Sequence, residues 1–259
     1  MNLAFVFIGC LVAAKAAFAC SPAENKTLAA FEQEVTVSLK DNENASVIDF
    51  GYLPSQCKPW PQKGGYAILT KPYLYESSKD SERYFGMVIA VVDEQTGKVL
   101  SSVNEKKIMF MGAIEPSEIN IDTANYFIEP GRLAFGVRIT RRNYSDAAPI
   151  REELMNMYVI DQNTLTKVIN SLLMNSYNGE GDGGCKFSGT ENSATLSVLS
   201  DKTNGYYSLR ERIKMSQIEY AKNGVECKKH AGAVKITDYI LQFNGATYEI
   251  PQTLKANMN

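Results

Sequence analysis

The chain has 259 residues, with 27 Lys+Arg against 29 Asp+Glu, a formal net charge of −2 and 44% hydrophobic residues. That is too apolar and too nearly neutral for a disordered chain, and not basic enough to hold nucleic acid by bulk charge. A single histidine excludes a His-rich metal site or a His–His acid/base pair within one chain.

Residues 1–19 read as an export signal. An apolar run from Met1 to Ala14 is followed by Lys15 and by small residues at Ala17 and Ala19, the spacing a signal peptidase reads. The run is short of the roughly 20 apolar residues needed to span a bilayer. Its opening lacks the usual Lys or Arg, and the lone cation, Lys15, sits late. Cleavage after Ala19 leaves residues 20–259 as one β-rich exported unit, with sub-units near 20–115, 116–175 and 176–259. It also puts Cys20 at the new N-terminus. The triplet Ala17-Phe18-Ala19 lacks the leucine of a lipidation box, so an outer-membrane lipoprotein through Cys20 is the minor alternative to a periplasmic or secreted protein.

Cys10 leaves with the signal, and Cys20, Cys57, Cys185 and Cys227 remain. An even number in an exported chain suggests two disulfides. Three pairings exist; Cys185–Cys227 and Cys20–Cys57 are favoured because each then lies within one half of the chain. The loop between Cys185 and Cys227 is worth roughly 3–4 kcal/mol in chain entropy. No Cys-x-x-Cys pair occurs, and spacings of 37, 128 and 42 do not suit zinc.

Along the mature chain, residues 21–45 are polar, with one alternating run, Glu34 to Leu39, that reads as a strand behind a loose start. Cys57-Lys58-Pro59-Trp60-Pro61 is stiffened by its prolines; Trp60 is either a packed plug beside a disulfide or an exposed aromatic contact. Tyr66–Thr70, Tyr84–Val92 and Lys98–Val103 read as strands, the last two joined by a turn ending at Gly97. Val88–Val92 is continuously apolar, as in a strand buried on both faces. Ile121–Ile128 and Leu133–Ile139 flank Glu129-Pro130-Gly131, where Gly131 suits a type II turn. Met155–Ile160 and Leu165–Ile169 flank Asp161–Thr164. The segments 151–157 and 208–222 are the best helix candidates, but 206–220 alternates and reads as strand. Asn244-Gly245 predicts a closing hairpin between Tyr239–Phe243 and Ala246–Ile250. The class is mainly antiparallel β, a sandwich or a small propeller-like array of three quasi-repeats, with few or no long helices.

No motif points to one reaction. The loop Asn178–Cys185 offers only Glu180 and Asp182 as charged calcium ligands and lacks the EF-hand order, so it reads as a tight connection. His230, beside Lys228 and Lys229, reads as a solvated loop residue. Glu152, Glu153, Asp93, Glu94, Asp122 and Asp161 supply the carboxylates a glycoside-cleaving enzyme would need, although Asp at a hairpin start ordinarily holds a turn. Arg138, Arg141, Arg142 and Arg151, with Tyr144, form the densest positive patch. Together with Trp60, the residues Arg138, Arg141, Arg142 and Tyr144 are the candidate partner contacts. No cofactor is expected.

Several segments together resemble a family of uncharacterised exported proteobacterial proteins: Cys57–Pro61, Ile121–Tyr126, Pro130–Arg138, Gly179–Cys185 and Leu241–Tyr248. The likeness spans residues 50–251. Gly181 stands where that family has a Trp, and Ala148-Pro149 replaces an Asn-Pro. The resemblance implies a periplasmic compartment and a bacterial origin rather than a reaction, and it implies that the sequons at Asn25, Asn44 and Asn143 stay unglycosylated. The reading is of an exported binding or interaction protein, with a protein or envelope component as partner; an inhibitor or immunity factor against an envelope-targeting enzyme is one form of it. The alternatives are a carboxylate-dependent envelope hydrolase and a lipid-tethered structural component.

Overall fold

A computed structural model of the protein describes residues 20–256, apart from 43–44, 50, 52, 80, 183 and 224–225. The expected leader (1–19), its cleavage site and the Asn44 sequon lie outside the described residues. One helix, α1 (Pro22–Asn42), is followed by twelve strands: β1 (Ala45–Asp49), β2 (Gln56–Pro59), β3 (Tyr66–Ser77), β4 (Arg83–Asp93), β5 (Val99–Phe110), β6 (Glu115–Glu129), β7 (Arg132–Arg142), β8 (Ile150–Asp161), β9 (Thr164–Gly181), β10 (Phe187–Thr203), β11 (Tyr206–Asn223) and β12 (Glu226–Leu241).

The strand expected within 34–39 is instead part of α1. Its start carries a capping box: the Ser21 N–H donates to Glu24 Oε2 at 2.6 Å, and the Glu24 N–H donates to Ser21 Oγ at 3.2 Å. Pro22 sits at the first helical position, where its missing N–H costs nothing. Leu28, Phe31, Val35 and Leu39 are buried at helical spacing, whereas Val37, which made the run look alternating, is 52% exposed.

Among the described residues, all twelve strands belong to one sheet that does not close on itself, and every ladder is antiparallel except a single parallel bridge, Ser102↔Thr164, between β5 and β9. The folded sheet encloses three apolar seams. The first seam packs Leu28, Phe31, Val35 and Leu39 of α1 on Leu69, Tyr75, Ala90 and Val92 of β3 and β4. In the second, the opposite faces of β3 and β4 (Ile68, Phe85, Ile89, Val91) meet β6–β8 through Ile119, Phe135, Val137 and Tyr158. In the third, the far face of β8 and β9 (Met155, Met157, Ile169, Leu172) meets Leu209, Leu241 and the tail residues Phe243, Tyr248 and Leu254. Strands β4 and β8 are therefore sandwiched on both faces, which is why Val88–Val92 is apolar at every position.

Trp60 is buried, edge-on to Phe135 at 5.2 Å between ring centres. Pro72 lies within β3, but between the stretches of its edge that pair with β2 (Ala67–Thr70) and β1 (Leu74–Ser77), where no ladder bond to either is lost. The turns at Gly97 and Gly131 have the left-handed φ that their glycines predict, 69° and 75°. The closing hairpin is reduced: β12 ends at Leu241, a single bridge joins Phe243 to Tyr248, and 246–250 is not a strand. Both disulfides form the favoured pairs, with Cα–Cα distances of 5.2 Å for Cys20–Cys57 and 5.4 Å for Cys185–Cys227.

Candidate functional site

Two neighbouring register rows cross five strands. The first runs Thr140↔Glu153↔Asn175↔Ser193↔Lys214, and the second Arg142↔Arg151↔Tyr177↔Glu191↔Ser216. Side chains opposite one another in antiparallel pairs share a face, so these rows present a continuous polar surface. Most of their members, with Ser176 and Asn192, line a trough of about 470 Å³. A bulge in β9 between Leu173 and Asn175 re-aims the strand there.

An ion network sets the shape of the trough's floor. The Arg138 guanidinium donates to Asp122 Oδ2 from Nε at 2.9 Å and from Nη2 at 2.7 Å, and from Nη1 to Glu153 Oε1 at 2.7 Å. Asn175 Nδ2 donates to the same Glu153 oxygen at 2.8 Å, and the Tyr126 hydroxyl donates to Asp122 Oδ2 at 2.9 Å. Gly136, paired with Asp122, leaves room for Met155, since a Cβ there would sit 2.5 Å from Met155 Cε. Burial alone would raise the Asp122 carboxyl; the Ala124 N–H, the Arg138 charge and hydrogen bonds, and the Tyr126 hydroxyl outweigh it and hold the group below its ordinary value. Burial and the neighbouring Asp122 carboxylate push the Tyr126 hydroxyl well up. Asp122 is therefore a fixed anion rather than a proton donor near neutrality.

The arginine patch expected from sequence is divided by strand alternation. Arg138 belongs to the network on the trough side. Arg141 is buried, its Nη2 2.6 Å and its Nε 2.8 Å from Glu152 Oε2. Arg142 is exposed and lies over the Tyr144 ring at 4.9 Å, and Tyr144 is 67% exposed. Only Arg142 and Tyr144 of the predicted contacts form an accessible pair; Trp60 and Arg141 are core residues, because one fills the second seam and the other satisfies a carboxylate at its end. Exposed Arg151 approaches Glu118 at 3.7 Å.

The remaining candidates fall into structural roles. Asp93 accepts from the Thr96 side chain and N–H and from the Gln95 N–H, contacts led by the Thr96 hydroxyl that hold its carboxyl low, as a turn aspartate does. Asp182 Oδ1 accepts the Gly184 and Lys186 N–H groups, tightening the connection before β10. Phe187 stacks on Tyr177 at 5.6 Å and covers Gly179 and Gly189, where a Cβ would collide with backbone. His230 is exposed on β12 opposite Glu219, on a strand rather than the loop expected for it. Cys20, Glu24 and Cys57 lie close enough to share an ion, but the two sulfurs are bonded to each other and Glu24 serves the helix cap. The sulfur of Cys20 is thus bonded to Cys57. Sequence reading missed Asn175, Tyr177, Glu191 and Lys214; their only signal is that polar residues recur at matched positions on paired strands, which requires the register to be known. No family model, curated protein or solved structure matches the chain.

Proposed function

We propose that the protein is exported to an oxidising compartment and acts there by binding, with the trough as its contact surface for a polar partner such as an envelope-associated enzyme it restrains. The observation that carries the reading is the prearranged floor: Glu153 is held by both Arg138 and Asn175, so the trough presents fixed polar groups without ordering them at the moment of contact. Two disulfides and the leader-like first 19 residues support the compartment. The charge pattern favours binding over carboxylate-dependent cleavage. Such cleavage needs one carboxyl poised to give up a proton, and the trough's carboxylates are paired with arginine or lysine: Glu153 with Arg138 and Glu191 with Lys229.

The test is affinity capture from envelope extract with the full exported chain, comparing wild type with Asn175→Ala combined with Lys214→Glu. The expected outcome is one partner retained by wild type and lost by the double variant, and inhibited or masked by wild type in its own assay. A partner held equally by both proteins would take the contact surface away from the trough.

A further inference from the structure

A second cavity lies where three parts of the sheet separate. Among the described residues β5 is paired with β9 through the single bridge Ser102↔Thr164, and β10 pairs with β9 over Asn175–Gly181. The C-terminal segment enters the edge of β9 left between them: the Tyr248 N–H donates to the Val168 carbonyl at 2.8 Å, and Leu172 bridges to Lys255. The crossing leaves a groove of about 770 Å³ between β5, β9 and the tail, a volume within the ordinary range for small-molecule sites.

Its lining is cationic in an otherwise acidic chain. Lys107, Lys167 and Lys255 face Glu249 as the sole lining carboxylate among the described residues. Lys167 is anchored by Glu105 Oε2 at 2.7 Å, and Lys107 Nζ lies over the Tyr84 ring at 4.3 Å. Among the described residues neither Lys107 nor Lys255 has a close ion pair, and both line the groove and are exposed, so their charges are open to an incoming anion. The wall between them carries Asn170 and Ser171. Ser171 has φ of 56°, a left-handed conformation in which glycine would be easier, and its N–H is held by Oδ1 of buried Asn156 at 2.8 Å. Backbone strain of this kind clusters at functional surfaces, and Ser171 places a side chain in the groove lining where glycine would place none.

We infer that this groove binds a small multivalent anion bearing phosphate or carboxylate groups, held by Lys107, Lys167 and Lys255, with Asn170 and Ser171 as hydrogen-bonding partners. Ammonium groups act as point charges that accept either head group without the planar match an arginine fork demands. Ile108 and Ile250 provide apolar contact for the remainder of the ligand. The groove shares no lining residue with the trough, so the inference stands whether or not the trough binds a partner.

The experiment is calorimetry and amide-resolved NMR on the full exported chain at low ionic strength, titrated separately with pyrophosphate and citrate against sodium chloride of matched ionic strength. Saturable binding by either anion is expected, with shifts centred on residues 167–171 and 247–255; the tighter of the two names the head group. Lys107→Ala with Lys255→Ala should weaken binding about tenfold or more, while Lys26→Ala with Lys40→Ala on exposed turns of α1 should leave it unchanged. All four positions are exposed, so unchanged near-ultraviolet circular dichroism is expected of both variants. No saturable binding, or an equal loss in the α1 variant, would overturn the assignment.

Discussion

Glu211 offers a quantitative test of the third apolar seam. It lies on β11 between Leu209 and Ile213, opposite Leu196 of β10 and Tyr239 of β12, and none of its surface is exposed. Neither carboxylate oxygen has a hydrogen-bond partner among the described residues. Burial pushes its pKa up from the ordinary 4.5 to about 7. The folded state therefore holds a proton that the unfolded chain has lost between those values, and stability must fall as pH rises through that window. At 1.36 kcal/mol for each unit of pH, the loss comes to roughly 3 kcal/mol and is complete above about pH 8. Glu211→Gln keeps the shape and removes the titration. Urea denaturation of both disulfide-bonded proteins from pH 5 to 8 should find them similar at pH 5 and the variant more stable by about 3 kcal/mol at pH 8, or about 6–12 °C in Tm for a chain of this size. The difference between the two curves isolates Glu211 from every other titrating group. Parallel curves, or a wild type more stable at pH 8, would refute a buried, unpartnered carboxyl at this position.

The helix can be tested by neighbouring valines: Val35→Asp should destabilise by about 3 kcal/mol or more by burying a charge in the first seam, whereas Val37→Asp should fall within about 0.5 kcal/mol of wild type in the same denaturation assay. A strand at 34–39 would place Val35 and Val37 on one face and give them similar costs. Replacing Cys185 and Cys227 together by serine should remove roughly 3–4 kcal/mol, read as a lower urea midpoint. Asp122→Asn should cost about 1–2 kcal/mol at pH 7, because Arg138 keeps Glu153 but loses its other anion. Since the folded Asp122 carboxyl titrates below its ordinary 3.8, its stabilisation is present above that value and lost as pH falls below it; the variant should show a shallower acid limb, and an identical one would remove Asp122 as a source of acid lability.

What was legible in the sequence follows from how local each signal is. The turns at Gly97 and Gly131 and the two-sided burial of Val88–Val92 rest on a few adjacent residues, and the structure has them where expected. The helix was also legible. Ser21-Pro22-Ala23-Glu24 is a capping box with proline at the first helical position, but Val35, Val37 and Leu39 alternate as a strand would. Asn204-Gly205 is the same hairpin signal as Asn244-Gly245 and joins β10 to β11, with φ of 50° and 94°. The arginine patch failed for a different reason. Arg141 and Arg142 are adjacent in sequence, so in a strand they face opposite sides, and clustering along the chain said nothing about clustering in space.

Strand β9 explains why the rest could not be read from sequence. One of its edges pairs with β8 along almost its whole length. Its other edge is shared in turn by β5 at Thr164, by the C-terminal segment at Val168 and Leu172, and by β10 from Asn175 onward. Each change of partner needs the ladder to break, and the left-handed Ser171 and the bulge before Asn175 lie at those breaks. Breaks in a ladder leave side chains without a covering strand, so the basic groove forms beside 167–171 and the polar trough beside 175–177. Both cavities are consequences of one strand serving several neighbours, and no window of sequence around β9 contains the segments that complete the groove: Tyr248 lies 80 residues from its partner Val168, and Ser102 lies 62 from Thr164.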